Sequence, residues 1–384
     1  MRTLSLALLL VAGCVPRTTL LGKPQRFQIG AAPTAVSSAD YNGDGKLDLL
    51  VSREFSRGQL VVMLGNGDGT FREAGTLIGG GSPRGGGATQ DLDGDGHLDL
   101  ILADLDPGFV SVMRGVGNGS FEGAVNYQVG RTPASMKVVD INDDGEFDIV
   151  LVNRRPDDLG GYQDIHGHYT VLLGNGDCTF QEQRTVEFGA EPRGLAVGDW
   201  NGDGKVDLAI ADDYLSQVTL LLGKGDGTFT PGETYLVPFG ASGLTVADLN
   251  GDKQPDLIVR HTGITLLIGQ GGGRFQITGE YVTDNNDSLA LADFDLDGNL
   301  DIATARRLLL GDGKGNFPRI LQFDNQNQSG FVWAADFNGD KRTDLVVSDR
   351  ARNRISVYLN QSSPPGEKGV EGHQVSLVRA APIQ

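Results

Sequence analysis

Asp40-Tyr41-Asn42-Gly43-Asp44-Gly45-Lys46-Leu47-Asp48 decides how this chain is read. Oxygen-bearing side chains stand at positions 1, 3, 5 and 9, and the glycine at position 6 permits a sharp turn. Carboxylates this close repel one another unless a cation neutralises them. Oxygen ligands at alternate positions suit a hard ion, Ca²⁺ above all. The same string returns six times. The second copy holds Asp91, Asp93, Asp95 and Asp99; the third Asp140, Asn142, Asp144 and Asp148; the fourth Asp199, Asn201, Asp203 and Asp207. Then come Asp248, Asn250, Asp252 and Asp256, next Asp293, Asp295, Asp297 and Asp301, and last Asp336, Asn338, Asp340 and Asp344. Position 7 offers a backbone carbonyl whatever its side chain, so Lys46, His97, Glu146, Lys205, Gln254, Asn299 and Arg342 join the expected ligands.

An EF-hand needs an acid at position 12, and here that place holds Val51, Leu102, Leu151, Ile210, Val259, Thr304 or Val347. Up to seven Ca²⁺ sites are expected. Those at 248–256 and 336–344 should be weaker, because Lys253 and Lys341 replace glycine at position 6 and add a positive charge.

Each loop runs into an apolar, often β-branched stretch such as Leu49-Leu50-Val51 or Leu345-Val346-Val347, which reads as a buried strand. A Gly-rich turn follows: Gly65 to Phe71, then Gly115 to Phe121, Gly174 to Phe180, Gly223 to Phe229, Gly269 to Phe275 and Gly311 to Phe317. It lacks the Lys-Ser/Thr of a phosphate loop and joins strands. A Gly-x-x-Pro mark (Gly30 to Pro33, Gly130 to Pro133, Gly189 to Pro192) lies one strand before the acidic loop. Repeat one thus holds four short strands, expected at 34–39, 47–52, 59–65 and 70–77. The first is small-residued, as the crowded axis of a ring of blades requires.

These marks resemble the FG-GAP/VCBS repeat family, the repeat of the integrin α-subunit β-propeller and of many secreted bacterial proteins. The resemblance covers about residues 22–360. It implies an all-β fold, a seven-bladed β-propeller of four-stranded antiparallel blades. Repeat seven stops at Asn360 without its Gly-rich turn, whereas Leu21 to Phe27 reads like the end of a repeat. The N-terminal segment is therefore expected to supply the outer strand of the last blade, with Gln374 to Val378 as the rival. The remainder of 361–384 reads as a flexible tail.

The chain has 384 residues, 57 of them Gly, with 39% hydrophobic content and a net charge of -18. Glycine without a G-X-Y period excludes collagen, and the apolar content excludes wholesale disorder. The acidic balance argues against nucleic-acid binding. A single charge at Arg2, an apolar run from Leu4 to Ala12 and Val11-Ala12-Gly13-Cys14 resemble a bacterial lipobox. That implies a signal peptide at 1–13, acylation of Cys14, a linker at 14–21, and an extracytoplasmic protein anchored in the cell envelope, in the outer membrane if the bacterium has one. Cys178 then has no disulfide partner and reads as a glycine replacement in a turn.

In an up-and-down blade the acidic loops and Gly-rich turns share one face. The opposite connections carry Arg53, Arg57, Arg154, Arg155, Arg260, Arg306, Arg307, Arg350, Arg352 and Arg354, with Phe55, Tyr162 and Tyr214. Two Asn/Gln-rich stretches, 285–287 and 325–328, lie there too. These suit a glycan or protein partner. A monomeric, non-catalytic binding or adhesion module is the leading expectation. A polysaccharide lyase or hydrolase, with His166 and His168 in the third-blade insertion, and an envelope scaffold are the rivals.

Overall fold

The computed structural model describes residues 20–53, 59–78, 87–104, 108–130, 132–154, 166–283, 288–323 and 330–363. The signal segment with Cys14, Phe55, Arg57, Arg155, Tyr162, both Asn/Gln-rich stretches and most of the tail lie outside them.

These residues form seven four-stranded antiparallel sheets, each a simple meander. In blade one Pro33–Ala39, Asp48–Arg53, Gln59–Gly65 and Phe71–Ile78 follow one another outward from the axis, within a residue or two of the sequence expectation. The inner strands of the following blades are Gly87–Gln90, Pro133–Val139, Pro192–Gly198, Gly243–Ala247 and Ala290–Ala292. Pro192–Gly198 packs on both its neighbours in this series, which closes one arc of the ring. In blade seven Val332–Ala335, Asp344–Asp349 and Arg354–Tyr358 are completed by Gln25–Gln28 as outer strand. Gln25 lies opposite Val357 and Phe27 opposite Ile355. Pairing the two ends of the chain leaves no unsatisfied edge at the seam.

The core lies between the blades. Seven apolar clusters each join two adjacent sheets: Leu50, Leu60 and Val62 of blade one meet Leu100, Leu102 and Met113 of blade two. Phe71 and Met63 meet Phe337 and Val346 across the seam. A second strand such as Asp148–Asn153 is buried on both faces, hence its unbroken apolar run, whereas the outer strand Arg184–Glu187 is exposed throughout. Among the described residues no helix is long and apolar enough to cross a membrane.

Candidate metal centres

Each acidic loop joins an inner strand to the second strand of its blade, and each Gly-rich turn joins third to fourth, so both sets line one face. Within the loop the three kinds of aspartate do different work. The first collects the backbone: Asp40 accepts the N–H groups of Gly43 and Asp44 on one oxygen, at 2.8 and 3.1 Å, and Gly45 on the other at 2.7 Å. The bond from position 6 recurs in all seven loops at 2.7–2.9 Å. The fifth residue accepts the N–H of position 7 at 2.7–3.0 Å, again in every loop.

The ninth aspartate is fully buried in all seven copies. One oxygen accepts the N–H of position 2 at 2.7–3.0 Å. The other accepts the N–H that ends the third strand, at 2.7–2.8 Å. It is a latch between the loop and the Gly-rich turn. Burial, opposed by these bonds, raises the pKa of most of these carboxyls, Asp301 to about 7 and Asp344 to about 6.

The loops also stitch neighbouring blades. The carbonyls of Tyr41, Trp200, Leu249 and Phe337 accept N–H groups from Gly119, Gly273, Gly315 and Gly69 of the next Gly-rich turn, at 2.7–3.1 Å. Phe71 stacks edge-on against Phe337, and Phe275 against Trp200. Blade seven lacks the glycines. Asn360 donates its N–H to Asp344 instead, and its Nδ2 and the Ser362 hydroxyl reach the Phe294 carbonyl, at 3.0 and 2.6 Å. Nothing in the repeat pattern announces these two substitutes.

Positions 4 and 6 both adopt left-handed backbone. The sequence reading saw only position 6, where Lys253 and Lys341 sit at φ 67° and 66°. At position 4 Asp143 and Leu296 carry the same strain, at 60° and 62°. Position 7 side chains lie over the Gly-rich turn: a Cβ at Gly67 or Gly117 would run into Lys46 or His97. They therefore point away from the loop, as a carbonyl-only role requires.

In loops two and six the carboxylates of positions 1, 3 and 5 converge, each offering an oxygen within 4.8 Å of the others. These groups, Asp91-Asp93-Asp95 and Asp293-Asp295-Asp297, can hold a metal ion. Asp295 fits one directly: its Oδ1 is buried without a hydrogen-bond partner, and burial with the adjacent Asp297 raises its pKa. Both loops also meet arginine. Arg114 pairs with Asp93 and, at 3.4 Å, Asp95, and Arg319 stands 3.7 Å from Asp295. Asn at position 3 keeps the other five loops out of such all-acid groups.

Cys178 stands at φ 63° where other turns have glycine, and its Sγ donates to Asp99 of the preceding blade at 3.2 Å. Burial first, then that hydrogen bond, pushes the thiol pKa far up, which leaves a poor nucleophile.

On the opposite face the arginines serve the fold. Arg352 and Arg354 both pair with Asp349 at 3.1 Å, Arg53 lies 3.8 Å from Glu73, Arg154 lies 3.8 Å from Glu191, and Arg307 donates to the Val282 carbonyl. What this face displays instead is apolar. Tyr214 and Phe239 are 71% and 72% exposed, with Leu215 and Val282 exposed on the same or neighbouring connections and Leu236 at the end of an outer strand. Tyr214 had been singled out in the sequence; the others lacked any motif. His166 is exposed and His168 half-buried, and neither joins a cluster of metal ligands among the described residues.

The architecture is a seven-bladed β-propeller with an acidic loop in every blade. The family described as FG-GAP-like repeat matches residues 40–90, 91–151 and 199–259, so these stretches of the chain are similar to that repeat. No curated protein matches it. Among solved structures, the chain is similar to an Agrocybe aegerita lectin described as recognising non-reducing terminal N-acetylglucosamine. Identity is 20%, TM-score 0.52, and the match covers 84% of this chain and 86% of that one. It is also similar to BBS1N, solved in complex with ARL6DN after lead and mercury soaks. Identities are 12% and 14%, TM-scores 0.61 and 0.60, and coverage is 93% of this chain and 100% of the other. At these identities the likeness is one of fold.

Proposed function

We propose that this protein is a calcium-stabilised, non-catalytic binding propeller, which takes a glycan or protein partner on the face opposite the acidic loops. The observation that carries the reading is the contrast in what the two faces expose. One repeats a single hydrogen-bonding plan seven times, while the other presents Tyr214 and Phe239 from two different connections and Leu236 from the end of an outer strand. Exposed aromatics on irregular loops over a rigid scaffold favour recognition. Fold relatives that bind a sugar and a protein support a binding role over a catalytic one.

Ca²⁺ is the ion proposed for the loops, since hard oxygen donors and αL turns suit it. We further propose that Cys14 is acylated and holds the ring near a bacterial envelope membrane, because only ten residues separate it from Gln25–Gln28. A Cys14→Ser variant should lose detergent-phase partitioning.

The decisive experiment pairs a glycan array with capture of envelope proteins, at millimolar calcium, for wild type and a Tyr214→Ser/Phe239→Ser variant. Binding that disappears in the variant while Tm holds supports the reading; binding that persists unchanged overturns it.

A further inference from the structure

Inner strands border a cavity of about 410 Å³, lined by residues 35–38, 87–90 and 136–138 and by Trp333. The volume falls in the range of small-molecule sites. Small residues, Gly87 and Ala88 of blade two and Ala35 of blade one, are among those that line it. Its floor is apolar, with Leu50, Leu60, Leu100 and Leu102.

Its polar lining is selective. In a chain with 50 acidic residues, no carboxylate lines it, and Lys137 is its one charged group among the described residues. Neither Lys137 nor Gln90 makes a hydrogen bond or ion pair there. Lys137 is half-buried, and that burial pushes its ammonium pKa down. Trp333 is 38% exposed and anchored, its Nε1 donating to the Ser38 hydroxyl at 2.7 Å. A fixed indole lining the same cavity as an unpaired amine, a free amide and hydroxyls asks for a ligand with one anionic group, several hydroxyls and an apolar ring face.

We propose that this cavity binds a hexuronate, free or at the end of a chain, with its carboxylate on Lys137 and its ring against Trp333. The site lies among the inner strands of blades one, two, three and seven and does not rest on the recognition face proposed above.

The test titrates calcium-loaded full-length protein with D-glucuronate, D-glucose and a short oligoglucuronate, by calorimetry and tryptophan fluorescence. Glucuronate is expected to bind and to quench Trp333, and glucose to do neither. Trp200 is buried, so Trp333→Phe should remove the quenching. Lys137→Gln should weaken binding by roughly tenfold or more, the loss of a hydrogen bond to a charged group, with Tm unchanged. If Lys137→Gln melts early, Lys137→Arg, which retains the charge, should still bind. Oligoglucuronate binding at least as tightly as the monosaccharide identifies a chain end as the ligand; monosaccharide binding alone identifies the free acid. No response to glucuronate, equal affinity for glucose, or wild-type affinity in a folded Lys137→Gln protein would each overturn the proposal.

Discussion

The two faces of the ring were built under different constraints. On the acidic face four bonds recur in every loop at nearly the same lengths, and the ninth aspartate performs one task seven times. On the opposite face the connections between second and third strands range from three residues at 261–263 to fourteen at 154–167, and charged groups there are spent on local pairs such as Arg354 with Asp349. Uniformity marks the face that holds the blades together. Variation marks the face that can change without cost to the ring.

The strongest way to break this contrast is to remove the ion. A loop saturated at a hundredfold excess of Ca²⁺ over its Kd adds about 2.7 kcal/mol, so chelation should lower Tm far more than any surface substitution. Calorimetry with chelator and with added Ca²⁺ checks it; coincident melts would remove calcium from the account. Next in size is the latch. Asp207→Ala leaves the N–H groups of Trp200 and Gly223 buried without their acceptor, at about 1–3 kcal/mol each. Phe239→Ser on the far face should stay within about 0.5 kcal/mol of wild type. Denaturant unfolding of the two variants measures the faces against each other.

A smaller effect follows from burial. The raised pKa of Asp301, about 7, and Asp344, about 6, against an ordinary 3.8, means that the chelated fold binds protons more readily than the unfolded chain. The stability contributed by these two carboxyls should be fullest below about pH 4 and should be lost as pH rises through 6 to 7. Calcium should flatten the decline, and melts across that range in chelator and in calcium test it. Smallest is the backbone strain. Lys253→Gly and Leu296→Gly should each stabilise by about 1 kcal/mol, and the first should also tighten calcium binding at its loop, as a terbium-luminescence titration would report.

Much of this was readable in advance because a repeat amplifies weak signals. One Asp-x-Asn-x-Asp string is a plausible turn; seven in step, each feeding an apolar run, define a blade and its count. Blade closure was legible for the same reason, since Leu21 to Phe27 matched what repeat seven lacked. The division of labour among the aspartates was not. Asp44 and Asp48 look equivalent in the string, yet one stays at the rim and the other is sealed between two backbone N–H groups. The arginines misled for a similar reason: whether Arg352 meets a ligand or Asp349 depends on a turn geometry that residue type does not encode.

Sequence by itself determined the blade, the number of blades, the seam and the acidic chemistry of one face, because each is written in local spacing and copied seven times. Tertiary structure alone decided which carboxylate is latch and which is rim, how Asn360 and Ser362 replace a missing turn, and that Lys137 and Trp333 share a cavity although nearly two hundred residues separate them. Those features arise where different blades meet, and contact across a closed ring is set by the packing of whole sheets rather than by neighbours along the chain.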